Sequence, residues 1–101
     1  MGDITSGCDI RVAVPNMGAK SVLIKVAVTS QHSDTIVLTL SKYGISTFLG
    51  CVTFLHTTAE SVITLETTNA STTAVSSGVL TVTIASGATD SKERTILIWG
   101  V

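Results

Sequence analysis

Residues 20–29 read KSVLIKVAVT, and this stretch decides the fold class. On an extended chain Val22, Ile24, Val26 and Val28 fall on one side. Leu23, Lys25, Ala27 and Thr29 fall on the other. A period of two residues is the signature of a β-strand with one face in a core. Working outward, residues 34–41 repeat the pattern, with Ile36, Leu38 and Leu40 opposed to Val37, Thr39 and Ser41. Residues 79–85 place Leu80, Val82 and Ile84 inward against Thr81 and Thr83. Residues 94–101 put Ile96 and Ile98 on one face and Thr95, Leu97 and Trp99 on the other. Residues 62–68 alternate more weakly, and residues 51–55 are apolar on both faces.

Turn residues punctuate these segments: Asn16-Met17-Gly18-Ala19, Ser30-Gln31-His32-Ser33, Lys42-Tyr43-Gly44, Thr57-Thr58-Ala59, Asn69-Ala70-Ser71 and Ser76-Ser77-Gly78. Residues 86–92 form the longest polar loop. No segment sustains a helical period, and residues 41–49 have room for one helical turn at most, because Gly44 and β-branched neighbours oppose more. The expected architecture is all-β: a β-sandwich or small barrel of about seven to eight antiparallel strands, with at least half the residues in strands. Residues 1–19 read as an N-terminal arm and first strand, and residues 20–101 as the body of a single domain.

Composition supports one core and an unusual surface. The 101 residues are 45% hydrophobic and only 13% charged, with a formal net charge of −1. Charge is about half its usual share of roughly a quarter. Mean hydropathy is +0.55. A surface so short of charge dissolves poorly alone, so other subunits are expected to cover part of it. No basic, apolar leader opens the chain and no run is long enough to span a bilayer, so neither export nor a membrane is expected. Met1-Gly2 with Ser6 fits a myristoylation pattern only formally, and Asn69-Ala70-Ser71 is a sequon that reads as a loop.

Chemistry-bearing residues are sparse. Cys8 and Cys51 have no zinc spacing; Cys51 reads as a small core residue and Cys8 as a free thiol. His32 adjoins Ser33 and Asp34, but neighbours on an extended chain point apart, so no triad is expected there. His56 ends a strand and reads as surface or interface. Asp3 and Asp9 flank a glycine-containing loop without the ligand spacing of a calcium site. The seven carboxylates and six basic residues read as solvated or interfacial charges, with no aromatic-basic stripe for nucleic acid. Phe48 and Phe54 look like core. Trp99 reads either as a core anchor or as an interface anchor. The expectation is a protein with no catalytic site, no cofactor and no metal. Leu23, Leu97 and Trp99 are the candidate interface, since a lone two-layer domain would leave them exposed.

Three stretches, DTIVLTLSKYGI (34–45), VSSGVLTVTI (75–84) and RTILIWG (94–100), resemble small all-β virion proteins of tailed bacteriophages, of the capsid decoration or cement type. The resemblance implies a non-catalytic structural protein of the virion, made in the host cytoplasm. It would sit on the outer face of the head, often as a trimer, and bind the major capsid protein or another virion protein. Residues 1–7 and the C-terminal strand are the expected contacts. The resemblance carries no functional residue across. Other phage structural roles in tail, fibre or head completion, or a carbohydrate or host-surface binding module, are the alternatives.

Overall fold

The computed structural model describes residues 2–12, 20–27, 30–58 and 61–101. Eight strands follow one another: β1 (Asp9–Val12), β2 (Lys20–Val26), β3 (Thr35–Thr39), β4 (Phe48–Thr58), β5 (Val62–Leu65), β6 (Thr72–Ser76), β7 (Val79–Thr83) and β8 (Glu93–Gly100). They take up more than half of the described residues, and the helical segments among those residues are 3-10 turns at Thr5–Gly7 and Leu40–Tyr43. No described helix is long and apolar enough to cross a membrane. The expected turn at Asn16-Met17-Gly18-Ala19, the end of the first long strand at Val28 and Thr29, and Met1, Ala59 and Glu60 lie outside the described residues.

The strands form two antiparallel sheets, one of five in the order β1-β2-β8-β4-β5 and one of three in the order β3-β7-β6. Alternation translates directly into burial. Val22, Ile24 and Val26 from β2 and Ile96 and Ile98 from β8 meet Ile36, Leu38, Leu80 and Val82 of the other sheet in one cluster, all at most 2% exposed. Fully burying each such side chain contributes roughly 1.5–3 kcal/mol. Leu40, the first residue of the second 3-10 turn, and Ile45, just beyond it, also join the core, and Gly44 adopts φ 74 to end that turn.

Strand β4 is longer than its alternation suggests because two bulges reset its phase. Phe48 pairs with Gly100 but Gly50 pairs with Trp99, leaving Leu49 as the extra residue. Thr58 pairs with Val62 while His56 pairs with Ile63, leaving Thr57 over. After the first bulge, Cys51 and Thr53 share the inner face with Ile98 and Ile96, and Cys51 packs on the core as expected. Phe48 also packs on the core. Phe54 does not: it pairs with Thr95 and Leu65 on the outer face. The bulge at Leu49 shifts Phe54 to the opposite side from Phe48, an offset that no alternation count starting at Cys51 reveals.

The N-terminal arm lies along its own chain. Ile4 N–H donates to Thr35 O at 2.9 Å, Thr35 N–H to Gly2 O at 2.8 Å, and Val37 N–H to Thr5 Oγ1 at 2.7 Å. These bonds occupy the free edge of β3, and Ile4 packs against the core.

Candidate functional site

The outer face of the five-stranded sheet carries the three residues singled out in sequence. Register sets Leu23 of β2 directly opposite Leu97 of β8, and Leu97 opposite Val52 of β4. Directly opposed side chains on a sheet have Cβ atoms about 4.5–5.5 Å apart, so these three form a continuous apolar row. A second row runs Thr95, Phe54, Leu65, and a third runs Glu93, His56, Ile63. Leu23, Ile63 and Leu65 are exposed at 43%, 47% and 50%. Trp99 lies two residues beyond Leu97 on the same face, half-buried, with its ring against Gly50: a Cβ on Gly50 would fall 2.3 Å from Trp99 Cζ2. Trp99 is thus outside the core, and the absence of a side chain at residue 50 lets the indole lie flat on the sheet.

A polar border flanks this face. His56, expected at the surface or an interface, is instead buried at 9% exposure, because its ring is held on the sheet: Nε2 lies 2.8 Å from Thr95 Oγ1 and Nδ1 3.8 Å from Glu93, which also pairs with Lys25 at 3.4 Å. Asp9 and Arg11 pair on β1 beside Leu23. A shallow groove runs between these groups, lined by Asp9, Arg11, Leu23, Lys25, His56 and Thr95.

The remaining polar residues have structural work. His32 reaches the loop before β8. Its backbone N–H and its Nδ1 both lie 2.8 Å from Asp90 Oδ1, joining the turn before β3 to the loop before β8. The His32 amide, then its side chain, hold the Asp90 carboxyl below its ordinary value. Both side chains are substantially exposed, at 38% and 48%. Asp34 accepts N–H groups from Gln31 and Gly2. Asp3 accepts the Thr5 hydroxyl and the Thr5 amide, which lower its pKa, while Asp9 pairs with Arg11. Both cysteines are free, and burial pushes their thiols above the ordinary value, away from nucleophilic character. Among the described residues no three His, Cys, Asp or Glu side chains gather at one point.

One pair overturns the reading of all charges as solvated or interfacial. Arg94, on the inner face of β8, is fully buried, and its partner Glu66 has a side chain only 6% exposed. Nε donates to Glu66 Oε1 and Nη2 to Oε2, both at 3.2 Å. Nη2 also donates to Thr89 O at 2.6 Å, and Nη1 to Ser30 Oγ at 3.1 Å and Lys92 O at 3.5 Å. Every guanidinium N–H has an acceptor. In sequence Arg94 sits in the inward phase with Ile96 and Ile98, and that phase was the available signal.

No protein-family model, no curated protein and no solved structure matches this chain.

Proposed function

We propose that this chain is a non-catalytic structural protein of a phage virion, a decoration or cement protein that docks on the head as a homo-oligomer, most simply a trimer. The observation that supports this reading is the outward apolar row of Leu23, Leu97 and Val52, extended by Trp99 and Phe54, on a chain only 13% charged. Contiguous apolar surface of this kind marks an interface. Burying it returns roughly 25 cal/mol per Å² before the costs of association. The arm is engaged with its own β3, so the docking surface in this proposal is the sheet face rather than residues 1–7. β8 contributes through its outward side chains, because as a central strand its backbone is paired on both sides. The binding partners are copies of itself and the capsid protein, and neither nucleic acid, membrane nor cofactor enters the proposal.

Trp99 is the only tryptophan, so its emission reports on this face. Titration with undecorated heads of the phage encoding the chain is expected to give a saturable blue shift and co-sedimentation, both lost in Leu97→Lys. Heads that neither shift the emission nor carry the protein down would overturn the proposal.

A further inference from the structure

The three-stranded sheet has two edges, and they are treated differently. The β3 edge is closed by the arm. The β6 edge, Thr72–Ser76, is open: among the described residues its backbone bonds only to β7, in a regular register with no bulge. Folds that avoid edge pairing use charges, prolines, bulges or covering segments. β1 carries Asp9 and Arg11, and β5 is short and adjoins the irregularity at Thr57. β6 is nearly as short, at five residues, but carries no charge, proline or bulge. Its sequence, TTAVS, is uncharged, and no charged residue or histidine occurs anywhere between Glu66 and Asp90.

Val75 adds a second, independent observation. It pairs with Leu80, a fully buried core residue, and therefore points to the inner face. Yet Val75 is 48% exposed, and among the described residues β6 is the end strand of its sheet. This is an inward apolar side chain lacking one neighbour.

We infer that β6 pairs antiparallel with β6 of a second copy of this chain, joining two three-stranded sheets into one of six. A two-fold axis at Ala74 sets Thr72 against Ser76, Thr73 against Val75, and Ala74 against its own equivalent. Hydroxyl residues then face hydroxyl residues on the outer side. β-branched residues face each other on the inner side, where each Val75 gains the missing neighbour. A closed two-fold contact satisfies both edges at once. The absence of charge along the hairpin means that identical copies meet without repulsion. Five residues span only about 17 Å, so the contact is small and its affinity modest, suited to high local concentration. The inference does not depend on the proposed virion role, since it uses a different sheet.

Sedimentation of the full chain over a wide concentration range tests it. A two-fold species is expected, and Val75→Lys should weaken it about tenfold or more, as edge lysines do in natural sheets. Leu23→Lys, on the other sheet, should leave it unchanged. Should Val75→Lys fail to fold, Ala74→Cys in a Cys8→Ser/Cys51→Ser background is the second test: oxidation should give a covalent dimer that Thr39→Cys does not. A chain that stays monomeric throughout, a dimer that Val75→Lys leaves intact, or no cross-link at residue 74 overturns the inference.

Discussion

Replacing Arg94 by methionine removes the guanidinium and keeps much of the side chain's bulk. It leaves the Glu66 carboxylate, 6% exposed, with neither of its two Arg94 hydrogen bonds, and it deprives Thr89 O and Ser30 Oγ of a donor. Breaking a buried pair by deleting one partner costs about 3–5 kcal/mol, because the other charge stays in low dielectric uncompensated. A domain of this size has about 5–15 kcal/mol in total. Unfolding entropy near 2.1 cal/mol/K per residue converts each kcal/mol into about 5 °C, so the melting temperature should fall by about 15–25 °C. The double variant Arg94→Met/Glu66→Leu removes both charges and should recover most of that loss, since a well-packed apolar replacement of a buried pair is often neutral or better. Urea unfolding followed by circular dichroism and Trp99 emission measures all four corners of the cycle. A loss below about 1 kcal/mol for Arg94→Met, or a double variant as unstable as the two single losses summed, would refute the reasoning, because the pair would then be solvated or uncoupled.

Gly100→Ala should cost about 1–3 kcal/mol, read in the same urea assay, since a Cβ there would lie 2.2 Å from Thr47 O, a backbone atom that also accepts the Val101 amide. Gly50→Ala should cost less and red-shift Trp99 emission, because only the indole has to lift from the sheet. The Asp90 carboxyl is depressed in the folded state by the His32 amide first, so its stabilising contribution is present above the ordinary value of 3.8 and fades as pH falls through the lower folded value. Melting curves of wild type and Asp90→Asn should therefore differ near neutrality and converge in acid below that value. Cys8 and Cys51 should react slowly with thiol reagents near neutral pH in the folded chain and quickly in urea, because burial raises both thiols.

Alternation alone determined which residues face the core in β2, β3, β7 and β8, because a half-buried strand must separate apolar from polar side chains at every second position. It also put Leu23, Leu97 and Trp99 on the faces opposite their core neighbours, and the low charge indicated that such a face would be left apolar. β6 left no such trace: its five residues are exposed on both sides, so nothing selected for alternation. Pairing partners were decided only in three dimensions. Leu23 meets Leu97 because β2 and β8 are adjacent despite being far apart in sequence, and Phe54 joins them because a bulge at Leu49 turned it outward. The His32–Asp90 and Arg94–Glu66 contacts span 58 and 28 positions, and the loops that bring them together carry no periodicity. Burial follows from local pattern because each side chain meets solvent or core on its own. A contact between distant residues depends on the path of the whole chain, and for this protein only the packing of two sheets fixed that path.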